Sequence, residues 1–380
     1  MTESFRNRLE KELKSRREEN LYRKIQVCRD DRLNLSGNDY LQLRRHPQIL
    51  AKGREMADAY GSGSGASPLL SGFLPCHEEL IDKLLAWKKK RFGMLFNTGF
   101  MANQAVLRHL PGRDDIILAD KLIHHSMAQA LERGQTRFKR YGHLALDQLE
   151  EFLAKYHKDF DTVFVVTESV FSMDGDYPDL KRLAGLKKKY PFVLVLDEAH
   201  GTGVFGETGA GLAEAEGVQD QVDILVGTLG KSLAGMGAYV LTDSRAVIDY
   251  LVNRAGEFIY STFLPPYQAG VALASIEIVR RANQERSDLK ALSRWFRSEL
   301  SDDGHEIEDY DTPIVPIRVG EAEAAIELQE LCFKNSILVG AVRPPTVPRG
   351  TSRLRVSLNS KLTREQLAPF IKIYKEWKKR

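Results

Sequence analysis

Short apolar runs recur through the middle of this chain with room for a helix between them: GMLFN (93–97), IILAD (116–120), TVFVVTES (162–169), FVLVLDEAH (192–200) and DILVGT (223–228). Runs of this length read as strands, and strands alternating with longer amphipathic segments build βαβ units around a mainly parallel sheet. An α/β fold is therefore expected. From about residue 271 the texture changes to charged helical sequence, SIEIVRRANQERSDLKALSRWFRSEL, followed by PIVPIRV and ILVGAVRPPTVPRGTSRLRVSL. That pattern predicts a smaller α+β domain. The expected organisation is an N-terminal helical segment over 1–40, a large domain over 41–270 and a small C-terminal domain over 271–380. GSGSGAS (61–67) has the composition of a flexible linker, and equally that of a loop where backbone must approach a ligand closely.

The 380 residues are enough to bury a large core. With 55 basic and 52 acidic residues the net charge is +3, which offers no footprint for a polyanion such as nucleic acid. No apolar stretch approaches the roughly 18 residues needed to span a bilayer. The first twenty residues are densely charged and lack the apolar core of a secretory signal. Phe5, Leu9 and Leu13 recur there at helical spacing, so an amphipathic helix packed on the body of the protein is expected. Cys28, Cys76 and Cys332 are widely separated, which argues against a disulfide framework and a zinc site and favours a reducing cytoplasm. The nine histidines show no metal-ligand spacing either, so no metal is expected.

Two of the apolar runs end in residues that carry chemistry. Asp197 closes FVLVL and opens DEAHGTG, and Lys231 follows ILVGTLG. A lysine amine can hold pyridoxal phosphate (PLP) as a Schiff base, and a carboxylate can keep its pyridine nitrogen protonated. Parallel sheets place ligands at such strand ends. Taken singly, an Asp after a strand is usually a cap and a Lys after Gly a solvated loop residue. Two of them at consecutive strand ends, with His200 close behind Asp197, favour the cofactor. The DEAH tetrapeptide also resembles the Walker B segment of nucleic-acid-dependent NTPases. That rival requires a phosphate loop, and the Gly needed five residues before Gly230 is Leu225.

Further candidates lie near other strand ends. Thr98, Gly99 and Phe100 open a helical pattern after FN, and a helix N-terminus offers free N–H groups to a phosphate. Ser172 and Asp174 follow TVFVVTES, where a hydroxyl could meet a cofactor oxygen, although SMDGD is also a good turn. His124, a few residues beyond IILAD, could stack on a planar ring or relay a proton, or be a hydrogen-bonded structural histidine. Arg343 and Arg355 flank a proline-stiffened loop, and an Arg fork grips a carboxylate with two parallel hydrogen bonds.

Together these segments resemble the α-oxoamine synthases, PLP enzymes that condense an amino acid with an acyl thioester and release CO2. The likeness runs through LSGNDYLQL (35–43), HEEL (77–80), FNTGFMANQAV (96–106), DKLIHHS (120–126), TESVFSMDGD (167–176), DEAHGTGVFGETG (197–209), GTLGKS (227–232), IYSTFLPP (259–266) and RPPTVPRGTSRLR (343–355). The resemblance implies the aspartate aminotransferase-like fold type I, with a mainly parallel seven-stranded sheet in the large domain, and a homodimer with shared active sites. It implies that Lys231 carries the cofactor and removes the substrate proton, that Asp197 faces the pyridine nitrogen, that His200 and Ser172 contact the ring hydroxyl, and that His124 stacks on the ring. Gly99, Phe100 and Thr228 match cofactor-binding positions, and Thr262 matches a phosphate ligand lent by a second subunit. Asn38 and Arg355 match the amino-acid carboxylate site, and Arg23, Arg343 and Thr346 lie in segments that match the substrate site, Arg23 and Thr346 at positions that contact the acyl chain. RPPTVPRGTSRLR looks most like the branch that joins L-alanine to a pimeloyl thioester, on coenzyme A or acyl carrier protein, in biotin synthesis. The glycine-using branches, glycine C-acetyltransferase and 5-aminolevulinate synthase, are the alternative. One departure stands out: Pro68 and Leu69 follow GSGSGAS where relatives often carry a basic residue, which bears on the acyl carrier.

Overall fold

The five apolar runs become strands of one seven-stranded sheet: β1 (Phe92–Phe96), β2 (Ile116–Asp120), β4 (Val163–Glu168), β5 (Val193–Asp197) and β6 (Ile224–Thr228), joined by β3 (Arg137–Tyr141) and β7 (Ala238–Thr242). The structure is a computed structural model that describes residues 1–25, 27–28, 31–301 and 310–379. The order across the sheet is β1-β7-β6-β5-β4-β2-β3. All pairings are parallel except those of β7, which runs antiparallel to β6 and β1. β2 and β4 are buried along their whole length. This is why they read as unbroken apolar runs, since a strand covered on both faces has no solvent side to alternate toward. Each buried Val, Leu or Ile contributes about 1.5–3 kcal/mol. Gly227 on β6 faces Tyr239 on β7, and a Cβ there would lie 2.2 Å from the tyrosine ring. Gly227→Ala would expel that ring.

This sheet belongs to a unit made of Asn38–Ser172 and Asp176–Asp288. The helix Pro266–Val279 lies in it, so residues 271–288 group with the sheet and not with the C-terminal part. GSGSGAS also lies inside this unit, where Ser64 Oγ donates to the Leu264 carbonyl at 2.6 Å and Phe263 N donates to the Ala66 carbonyl at 3.0 Å. The segment is therefore no free linker, and Gly61 and Gly65, at φ of 93° and 71°, adopt backbone conformations that favour glycine.

The second unit comprises Met1–Gly37, Met173–Gly175 and Leu289–Arg380. Its sheet has β8 (Ile314–Gly320), β9 (Gly340–Val342) and β10 (Ser352–Ser357) in antiparallel order β9-β10-β8. On β10, Leu354 and Val356 alternate with Arg353 and Arg355, and all four are buried. Arg353 sits opposite Arg318 of β8, a like-charge pair that Asp174 bridges, bonding Arg318 Nη2 at 3.1 Å and Arg353 Nη1. Asp174, read above as a turn residue with possible ligand duty, thus serves as this counter-charge. The N-terminal helix forms over Glu3–Glu18, yet none of its residues is buried and Phe5, Leu9 and Leu13 stay exposed. The expected packing on the body is not realised, because one apolar residue per turn among charged neighbours buries too little area to draw a helix down.

Candidate active site

β1, β2, β4, β5 and β6 run in one direction, so their C-terminal ends share one edge of the sheet. The chain leaves that edge through Asn97–Phe100, His124, Ser172, Asp197–His200 and Thr228–Lys231, which brings the expected cofactor residues of this unit to one place. Asp197 is 6% exposed. Its Oδ2 accepts from Asn103 Nδ2 at 2.8 Å and its Oδ1 from Ala199 N at 2.8 Å. Both donors are neutral and hold the carboxylate in a fixed plane, and a buried carboxylate favours a cationic partner.

Asn103 comes from the helix Gly99–His109, which Thr98 starts by accepting from Met101 N at 3.2 Å. The cap leaves the Gly99 and Phe100 N–H groups without intrahelical acceptors, as phosphate binding at a helix start requires. Thr228 Oγ1 donates to the Gly237 carbonyl at 3.0 Å and accepts from Gly230 N at 3.2 Å, which shapes the turn that presents Lys231. Tyr40 OH bonds His200 Nδ1 at 2.6 Å and Asn38 Oδ1 at 3.3 Å. The fully buried Tyr40 therefore ties the expected ring-hydroxyl ligand to the expected carboxylate ligand. Helix N–H groups for a phosphate, a fixed carboxylate for a ring nitrogen and an amine on the next strand end form a donor set that fits PLP.

His124 caps the helix His125–Arg133 and keeps one side open to solvent. Its N–H donates to Glu168 Oε1, and its Nδ1 meets Ser126 Oγ at 2.8 Å. Burial of its inner side pushes this imidazole below its ordinary pKa; Lys231 and His125 act in the same direction, and Asp197 acts against them. Glu168 ends β4 beside Asp197 in register. Burial, reinforced by the Asp197 charge, pushes the Glu168 carboxyl well above the usual carboxylate range. Sequence reasoning missed Glu168, Asn103, Ser126 and Tyr40. The available signals were a charged residue closing an apolar run and polar residues on the buried side of ANQA.

Thr262 is exposed, and its carbonyl accepts from Asn97 Nδ2 at 2.6 Å. Arg23, Arg343, Thr346 and Arg355 belong to the other unit. There Arg23 Nη2 donates to Thr346 Oγ1 at 3.1 Å and Arg343 donates to the Asn20 carbonyl, so three of the expected substrate residues share one cluster. Burial, with Arg23 adding to it, lowers the Arg343 pKa. Glu198 of the DEAH segment lies 3.3 Å from Lys88 Nζ, and both side chains are 1% exposed. It serves there as a structural ion pair.

The chain matches the family described as Aminotransferase class I and II over residues 30–373. It is 42% identical over 341 residues to 8-amino-7-oxononanoate synthase of Aeromonas salmonicida (strain A449), covering 89% of this chain and 83% of the relative. The crystal structure of 8-amino-7-oxononanoate synthase from Francisella tularensis is 30% identical with a TM-score of 0.80, covering 92% of this chain and 99% of that one. Two serine palmitoyltransferase structures, one from Sphingomonas wittichii and one with PLP as internal aldimine, each align at 27% identity and a TM-score of 0.86, covering 92% of this chain and 87% of theirs. Among the described residues no helix is long and apolar enough to cross a membrane.

Proposed function

We propose, for a chain that belongs to the aminotransferase class I and II family and within it to the PLP-dependent 8-amino-7-oxononanoate synthases, that it joins L-alanine to a pimeloyl thioester, releasing CO2 and the carrier thiol and leaving 8-amino-7-oxononanoate. The observation that carries the reading is Asp197, a buried carboxylate oriented by the Asn103 amide and the Ala199 backbone N–H, one strand end away from Lys231. Bound PLP supplies an electron sink for a carbanion at the amino acid Cα.

The chain's own residues would do the rest. Gly99 and Phe100 offer backbone N–H groups to the phosphate, helped by Thr228 and by Thr262 of a second copy. Asp197 would face the ring nitrogen, His200 and Ser172 would hold the ring hydroxyl, and His124 would cover the ring. Lys231 would hold the cofactor, and its Nζ would take the Cα proton and later return one to the product. Arg355 and Asn38 would hold the alanine carboxylate, and Arg23, Arg343 and Thr346 would receive the pimeloyl chain. A dimer is supported by Tyr260, which is 86% exposed two residues before Thr262, and by Leu70, which is 83% exposed in the π-helical turn Pro68–Gly72. That turn also holds Pro68 and Leu69 in place of a basic residue, so its apolar surface bears on whether coenzyme A or acyl carrier protein delivers the acyl group.

The test is to supply the PLP-loaded protein with pimeloyl-coenzyme A or pimeloyl-acyl carrier protein and to follow thiol release with alanine, glycine or serine. Alanine is expected to be fastest, and borohydride should fix the cofactor on Lys231. Faster turnover with glycine would assign the chain to a glycine-using branch, and failure to bind PLP would end the proposal.

A further inference from the structure

Resting on that reading, we infer that Asn103 is a positioning residue: acting with Ser126, it locks the Asp197 carboxylate to the His124 imidazole and holds the His124 proton on Nε2. Asn103 Nδ2 lies 2.8 Å from Asp197 Oδ2 and 3.0 Å from Ser126 Oγ. A carboxylate only accepts, so the amide nitrogen is the group that faces it, and its two hydrogens serve these two acceptors. Ser126 Oγ, accepting from Asn103, keeps its own hydrogen for His124 Nδ1 at 2.8 Å. Ser126 N also donates to that Nδ1, at 3.2 Å. Two donors converging on Nδ1 leave it no proton, so the neutral ring carries its hydrogen on Nε2.

The relay is built from buried parts. Asn103 is 3% exposed and Ser126 fully buried. Gln104 Nε2 holds the Ser126 carbonyl at 2.5 Å, which fixes the start of the helix His125–Arg133 against the helix Gly99–His109. The titratable groups that face the relay are Asp197, Glu168 and Lys231, with His125 beside His124. Along this relay every hydrogen has one destination, so removing one donor resets the groups at both ends. An Asn whose only duty was to satisfy a buried helix face would show no such dependence between Asp197 and His124.

Asn103→Leu keeps the volume and deletes the donors; Ser126→Ala deletes the hydroxyl. In PLP-loaded protein both are expected to retain the fold, with kcat down about ten- to a hundredfold and a smaller change in the alanine KM. Placed on an Asp197→Asn background, Asn103→Leu is expected to add less than it costs alone, because one of the two acceptors it serves is already neutral. The imidazole 15N shifts of His124, assigned by loss of the signal in His124→Asn, should show an unprotonated Nδ1 in wild type and altered shifts in both variants. A wild-type proton on Nδ1, or a full additive loss from Asn103→Leu in the Asp197→Asn background, would overturn the inference. If the variants do not fold, the wild-type 15N shifts decide alone. A wild type that binds no PLP or condenses no substrate counts against the proposed function, whereas the tautomer is read independently of turnover.

Discussion

Asp120 and Asp197 end β2 and β5 at the same edge of the same sheet, and both are buried, but their surroundings differ in kind. Asp120 Oδ1 accepts from Leu122 N at 2.8 Å and from His143 Nδ1 at 2.9 Å, and its Oδ2 accepts from Leu144 N at 2.8 Å. His143 Nε2 reaches Asp176 Oδ2 at 2.8 Å on its other side. Burial alone would lower the His143 pKa, but the bonds to Asp120 and Asp176 outweigh it and push the pKa up to about 10, so the ring is a cation held between two carboxylates. Asp120 is thereby closed off within the protein's own structure. Asp197, by contrast, accepts from an amide and a backbone N–H, both neutral donors. Burial by itself therefore does not mark a functional carboxylate; the charge of the groups that bond it does.

The comparison can be broken most severely at Asp197. Asp197→Asn should lower kcat by about 10²–10³-fold with far less change in the alanine KM, as steady-state kinetics would reveal, while the melting temperature stays near wild type. An equal loss from Asp120→Asn in kcat per folded molecule would contradict the distinction. His143→Gln should act oppositely, costing about 3–5 kcal/mol in denaturant unfolding because two buried carboxylates lose their cation, with kcat per folded molecule nearly unchanged. Arg355→Lys should raise the alanine KM about tenfold or more, since an ammonium cannot reproduce a bidentate grip.

The same histidine also sets a pH slope. With its folded pKa raised to about 10 above an unfolded value of roughly 6.5, His143 contributes stability that is complete below about pH 6.5 and is lost as pH rises through about 10. Thermal melts should show wild type losing stability across that window and His143→Gln following a flatter course.

Fully buried strands such as IILAD and TVFVVTE were legible as unbroken apolar runs. RFKRY (137–141) gave no such sign because β3 is an exposed edge strand whose charged side chains remain in water. AYVLT (238–242) is apolar enough, but nothing local announces an antiparallel strand inserted between β1 and β6. At the candidate site, Asp197, Lys231 and His124 stood out because each follows an apolar run. Asn103, Ser126, Glu168 and Tyr40 did not, since a polar residue inside a helix or beside a strand end acquires its meaning from a partner remote in the chain.

Local pattern was sufficient for the α/β class and for the chemistry that the strand ends it located could carry, because side-chain type and hydrophobic period are properties of neighbouring residues. Only the tertiary structure decided which of those ends is closed by a partner and which is left for a ligand. Asp120 and His143 are 23 residues apart and Asp197 and Asn103 are 94 apart. Whether a buried carboxylate meets a cation or an amide depends on which segments the fold lays against it, and the electrostatic outcome changes completely between the two.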